Sequence, residues 1–185
     1  MEWKNMNILN IHGYAGTAEN TNYSILHEAG YNVISFTIDY DSCEASEVEE
    51  LLSAAVKVYQ IGLIVATSYG SYFANILSAK FDIPFIATNP CVDPSTSLIN
   101  LSPNYVMREM RYFKKVDQDY HANWENGIFI LGNDDEILDH SITKRVIGKA
   151  KTYVVSGSHR LNRESYERQF LTEVAALIND VCNPF

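Results

Sequence analysis

The chain has 185 residues, 46% of them hydrophobic, which is enough for one domain with a full core. Its 23 Asp and Glu against 14 Lys and Arg give a formal charge of −9, which argues against nucleic acid as a partner, since phosphate backbones are bound by surplus cations. Cys43, Cys91 and Cys182 are odd in number, far apart and without metal-ligand spacing, which argues against a disulfide framework or a zinc site and for reduced thiols in a cytosol. The apolar run at 8–11 is too brief for a signal-peptide core or a membrane span, so a soluble, cytoplasmic protein is expected.

In chain order, residues 6–11 predict a first strand running into the glycine-bearing loop His12-Gly13-Tyr14-Ala15-Gly16-Thr17. A helix is expected over 22–29, closed by Gly30, then a second strand over 32–38 and a polar loop over 39–46. Ser46 and Glu49 resemble a capping box, and Val48, Leu51, Leu52, Ala55 and Tyr59 form an apolar stripe at helical spacing. A third strand over 61–66 is rich in β-branched residues and stops at small and polar positions, after which Phe73, Ile76, Leu77 and Phe81 return to helical spacing. Residues 83–88 predict a fourth strand with Pro84 near its start. Pro90, Pro94 and Pro103 then break a tyrosine-rich stretch, and 90–125 reads as an insertion or small cap near the site. A fifth strand over 128–131, a short helix marked by Ile142, Val146 and Ile147, and a sixth strand over 152–155 follow. A last helix buries Tyr166, Phe170, Val174, Leu177 and Ile178, leaving a tail at 183–185. Alternating strands and helices, with strands that are near-continuous apolar runs, imply a single α/β domain over 1–185: a mostly parallel sheet of about six strands with helices on both faces.

In such a fold, sites lie at the carboxyl ends of the strands, where His12, Asp39, Ser68, Asn89, Asp135 and His159 fall. Val65-Ala66-Thr67-Ser68-Tyr69-Gly70-Ser71 runs from strand to turn to helix with a serine at the tip, the arrangement of a nucleophile elbow, with Ala66 in the place of the first usual glycine. A serine hydroxyl needs exposure, a base and aimed N–H groups to act as a nucleophile. Ser68, Asp135 and His159 occur in the order serine, acid, histidine used by α/β hydrolases, so His159 is the candidate base and Asp135 its orienting carboxylate. Asp134 and Asp139 compete for the acid role, the first one residue early and the second placed to cap the next helix. The backbone N–H groups of Tyr14 and Tyr69 are the candidate oxyanion donors, with the His12 side chain holding its loop.

Five pieces of the chain are similar to the motifs of the YqiA-like esterases: Asn10-Ile11-His12-Gly13-Tyr14, the elbow through Ala74, Asn89-Pro90-Cys91-Val92-Asp93-Pro94, Asp135-Glu136-Ile137-Leu138-Asp139 and Ser156-Gly157-Ser158-His159. That family comprises small, nearly lidless α/β hydrolases. The resemblance implies serine esterase or thioesterase activity on a small-molecule acyl substrate, with Ser68, Asp135 and His159 as the triad. Ala66, Ser71 and Tyr69 depart from the family pattern without removing a reacting group.

Other candidates carry less. His12, Asn89, Tyr105 and Tyr112 are substrate-pocket candidates, the aromatics of the insertion serving either an acyl pocket or the packing of a cap. Asp39 and Asp93 read as solvated loop carboxylates, with the edge of the site as the alternative; Cys91 lacks an elbow and reads as a buried thiol, His27 serves helix packing or the surface, and His121 and His140 have no evident partner. Arg108, Arg111 and Lys115 share a helical face that would suit a phosphate such as that of coenzyme A, or simply water. No metal and no organic cofactor are expected, and the oligomeric state is open. The sequence thus predicts acyl transfer to water through an acyl-enzyme; a non-catalytic scaffold binding a small molecule or protein is the alternative.

Overall fold

The computed structural model describes residues 6–182, so the expected tail at 183–185 lies outside the described residues. Six parallel strands, β1 (Asn7–Ile11), β2 (Asn32–Ser35), β3 (Ile61–Thr67), β4 (Phe85–Thr88), β5 (Ile128–Gly132) and β6 (Lys151–Val155), form one sheet in the order β2-β1-β3-β4-β5-β6. Side chains alternate across it with period two. Leu9, Ile11, Ile64 and Ala66 face a core shared with α2 (Ala45–Val58), α3 (Gly70–Phe81), α5 (Pro103–Tyr120) and α6 (His140–Ile147). Ile8, Leu63, Val65 and Ile86 face the opposite core, built with α1 (Thr21–Glu28) and α7 (Arg163–Cys182).

The crossover direction reverses at β1. The chain leaves β1 toward β2 through α1 on one face, then crosses to β3 through α2 on the other. The loops after β1 and β3 therefore diverge and leave a crevice at the carboxyl ends of these strands. Ser68 sits at its rim.

Three elements differ from the sequence reading. β2 ends at Ser35 because the chain then turns to the loop after β1: Thr37 Oγ1 accepts from the Ala18 N–H, and the Ile38 N–H donates to His12. α2 starts at Ala45 with Glu44 as its cap, and the Glu47 carboxylate accepts from the Glu44 N–H at 2.8 Å. The capping pair is therefore two residues earlier than Ser46 and Glu49; Glu49 instead accepts from Lys80 and Tyr112, and Leu51 and Tyr59 are exposed. The stretch 90–125 contains α4 (Pro94–Ser97), α5 and a 3-10 helix (His121–Asn126). Tyr105, Val106, Phe113 and Val116 of α5 pack into the α2–α3 core, so this helix belongs to the layer that covers the sheet. Among the described residues no helix is long and apolar enough to cross a membrane, and no cluster of three or more His, Cys, Asp or Glu is arranged to hold a metal ion.

Candidate active site

Ser68 links β3 to α3 with φ +51°, a left-handed conformation that a residue with a Cβ adopts only under constraint. Three backbone bonds supply the constraint: its N–H donates to the Thr88 carbonyl, and its carbonyl accepts from the Ser71 and Cys91 N–H groups, all at 3.0 Å. Behind the turn, a Cβ on Gly70 would lie 2.5 Å from the carbonyl oxygens of Ile11 and His12, so only glycine lets α3 start against the end of β1. Gly13 fits as closely in front, where a Cβ would lie 2.8 Å from that of Ser68. Ala66 is fully buried in the core under the turn, where its methyl is packed among apolar side chains.

His159 reaches Ser68 from the loop after β6, with Nε2 3.0 Å from Oγ. Its Nδ1 lies 3.1 and 3.0 Å from the two carboxylate oxygens of Asp135, in the loop after β5. A carboxylate accepts only, so this network assigns the ring proton to Nδ1 and leaves Nε2 to accept from the hydroxyl. The side chain of Asp135 is fully buried. Burial alone would raise its pKa, but hydrogen bonds from His159 and from the Leu138 and Ile137 N–H groups together hold it below the usual value. Asp134 enters the site through its backbone, its N–H donating to the Gly157 carbonyl, and Asp139 accepts from the Ser141 N–H as the cap of α6.

Two loops from different strands meet here because polar struts lace them together. Asn89, fully buried at φ +43°, donates through Nδ2 to the carbonyls of Ser158 and His159 at 3.1 and 2.9 Å. Its Oδ1 accepts from the Gly132 N–H at 2.7 Å. The Gly157 N–H donates to Asn133 Oδ1 at 3.0 Å, the Asn133 N–H donates to the Val155 carbonyl at 2.9 Å, and the Glu136 carboxylate accepts from the His159 N–H at 2.9 Å. Asn89 thus acts on the loops around the site, away from the cleft.

The loop after β1 is pinned through His12. Its Nδ1 lies 2.7 Å from the Gly13 carbonyl and its Nε2 accepts from the Ile38 N–H at 2.8 Å, so the neutral ring protonated on Nδ1 satisfies both. Burial lowers the pKa of this ring, in keeping with a neutral form. Tyr14 is fixed by a hydrogen bond from its hydroxyl to Asp41 and by ring contacts with Tyr40, Tyr69 and Tyr105. Tyr69 caps the start of α3. Among the described residues, the amides of Tyr14 and Tyr69 donate to no protein acceptor.

A cleft of about 460 Å³ opens over Ser68 between the loop after β1 and the His159 loop, and His12 is among its lining residues. Tyr105 and Tyr112 lie elsewhere: the buried Tyr105 hydroxyl meets that of Tyr69 at 2.7 Å, and Tyr112 donates to Glu49. Arg108 donates to the Glu109 carboxylate and to the carbonyls of Asp41 and Cys43, which ties α5 to the loop before α2. Cys91 is buried, and burial above all pushes its thiol up to about 12, far from a reactive thiolate.

Sequence reasoning found no partner for His140, yet its Nε2 lies 3.5 Å from the Asp135 carboxylate, with both ring nitrogens buried and outside hydrogen-bond geometry. The residue follows the cap of α6, and only the observed length of the loop after β5 brings it against Asp135. Asn22, Thr67, Thr88 and Tyr166 were also missed; they form a buried polar network beside Ser68. Thr67 and Thr88 both end their strands, a position shared with the recognised candidates.

Residues 7–170 match the model of the uncharacterised protein family UPF0227, the YqiA-like family. The chain belongs to this family. No curated protein matches a UPF0227 chain of this sequence. Among solved structures, this UPF0227 chain is similar to one from Nitrososphaera gargenis described with carboxylesterases, at 14% identity and TM-score 0.67, covering 97% of this chain and 93% of that one. An esterase of Pyrococcus furiosus aligns at 14% identity and TM-score 0.68 over 95% and 82% of the two chains. The type II thioesterase BorB of the borrelidin biosynthetic cluster aligns at 13% identity and TM-score 0.62 over 93% and 92%. At these identities the likeness shows the fold, and the UPF0227 chain has the α/β-hydrolase architecture expected of it.

Proposed function

We propose that this protein is a serine hydrolase that cleaves acyl esters or thioesters through an acyl-enzyme. One observation carries the reading: the continuous hydrogen-bonded run from Ser68 Oγ through the His159 ring to the buried Asp135 carboxylate. In this mechanism Ser68 Oγ attacks the substrate carbonyl carbon as its proton passes to His159 Nε2, and Asp135 stabilises the imidazolium that forms. The N–H groups of Tyr14 and Tyr69 receive the oxyanion, the second helped by the positive end of α3. His159 then protonates the leaving group, and later removes a proton from the water that releases the acid. The names of the similar structures, carboxylesterase, esterase and thioesterase, support a carbonyl substrate of this kind.

Stopped-flow hydrolysis of an aryl ester tests this. A burst of aryloxide equal to the enzyme concentration is expected in the wild type and absent in Ser68→Ala. Steady release without a burst, unchanged in Ser68→Ala, would place the chemistry elsewhere.

A further inference from the structure

The cleft beside Ser68 is polar where a pocket for an aliphatic chain would be apolar. Resting on the hydrolase reading, we propose that it selects a short acyl group bearing a hydroxyl or amide N–H, and that the hydroxyl oxygens of Thr67 and Tyr166 receive that donor.

Thr67, Thr88 and Tyr166 line the cleft and are joined through buried Asn22. Asn22 Nδ2 donates to Thr67 Oγ1 at 3.0 Å and to Thr88 Oγ1 at 3.3 Å, while the Tyr166 hydroxyl donates to Asn22 Oδ1 at 2.8 Å. Thr88 Oγ1 donates to the Ala66 carbonyl at 3.3 Å, which leaves Thr67 to donate to Thr88 across their 3.0 Å contact. In this arrangement, with Thr88 donating to Ala66, every proton of the network is committed inside it. Thr88 Oγ1 already accepts twice, whereas Thr67 and Tyr166 retain acceptor capacity. A floor that can only accept calls for a donor on the ligand.

The walls agree with the floor. Among the lining residues, Leu161 is the one aliphatic side chain larger than alanine, and exposed Glu19 and Arg160 bring opposite charges, so neither sign of substrate is favoured. The aromatics that would make an acyl tunnel, Tyr69, Tyr72, Tyr105 and Phe113, are packed against one another and buried. A more apolar groove of about 360 Å³ between α4, α5 and α6, with Val92, Met110 and Phe113 in its lining, does not include Ser68, Asp135 or His159. An aliphatic chain over Ser68 would cover the remaining acceptor capacity of Thr67 and Tyr166 without supplying a donor.

Butanoyl, 3-hydroxybutanoyl, 3-methoxybutanoyl and octanoyl esters of one aryl alcohol test the proposal. The 3-hydroxybutanoyl ester is expected to exceed both the butanoyl and the methoxy ester by about tenfold or more in kcat/KM, because the methoxy oxygen cannot donate. The octanoyl ester is expected to fall below butanoyl, whereas an apolar tunnel would give about a fourfold gain per methylene. Thr67→Val is expected to cut the hydroxyl preference to about threefold or less, and Tyr166→Phe, which keeps its ring in the core, to reduce it likewise. A Ser68-dependent burst with octanoyl fastest, or with hydroxyl and methoxy esters equal, overturns the proposal and leaves the hydrolase reading standing. Folded wild type without Ser68-dependent aryloxide release on any ester removes that reading and this one with it.

Discussion

Asn89 is a strut outside the proposed reacting set that holds the loops carrying two of its members. Its side chain holds the carbonyls of Ser158 and His159 on one side and the Gly132 N–H on the other, so it fixes the distance between the His159 and Asp135 loops. Asn89→Ala leaves three backbone partners, one of them the buried Gly132 N–H, without their hydrogen bond and is expected to cost about 1–3 kcal/mol of stability. It should also lower kcat about tenfold or more with little change in KM, since a small misplacement of the base affects the transition state more than binding. Chemical denaturation and steady-state kinetics of the one variant measure both effects. Asp135→Asn, which can no longer favour the Nδ1–H tautomer of His159, is expected to lower kcat about 10⁴-fold while the protein stays folded, as circular dichroism and ester hydrolysis would report. That Ser68, Asp135 and His159 meet was legible because each follows a strand of one parallel sheet. Asn89 was visible as a strand-end residue, but its role was not: a strut to two loop carbonyls depends on the φ +43° turn, and no sequence pattern encodes its partners.

At the level of the element, the elbow is set by contact between two strand ends. Gly70→Ala places a methyl against the backbone carbonyls of Ile11 and His12, which cannot yield as a side chain would. The expected loss is about 3 kcal/mol, with a fall in kcat as Ser68 is pushed out of line with His159; thermal unfolding and burst amplitude check the two parts. The strands and the helices α2, α3 and α7 were readable because their apolar residues repeat at periods of two or near 3.6. Of the long helix α5, only the basic face at 108–115 was. Buried Glu109 interrupts its apolar face, neutralised by Arg108, and Pro103, which starts the helix, looks in sequence like a breaker. The same pattern hid the packing of Tyr105 into the α2–α3 core, so an expected pocket residue became part of the layer behind Ser68.

For the whole molecule, acid is the condition that separates the folded from the unfolded chain. His12 and His140 both have pKa values lowered from 6.5, in each case chiefly by burial. Both therefore bind fewer protons folded than unfolded, so their contribution to stability is complete above about pH 6.5 and is lost as pH falls through their lower folded values. Asp135, lowered as well, has the same sign but acts in a more acidic window, below its ordinary 3.8. Tm is expected to fall from pH 7 to pH 5, and His140→Gln, which removes a titratable ring packed beside the Asp135 carboxylate, should flatten that slope. An unaltered slope in this variant would remove His140 from the account. The proposed activity needs the assembled fold in a more stringent way, because Ser68, Asp135 and His159 come from three strand ends and meet only when β3, β5 and β6 are in register. The most direct measurement is intact-protein mass spectrometry after exposure to a small organophosphonate fluoride. One adduct per chain on Ser68 is predicted, absent in Ser68→Ala and formed at least about 10³-fold more slowly in His159→Gln. Folded wild-type protein that stays unmodified, or an adduct that survives Ser68→Ala, would contradict the account.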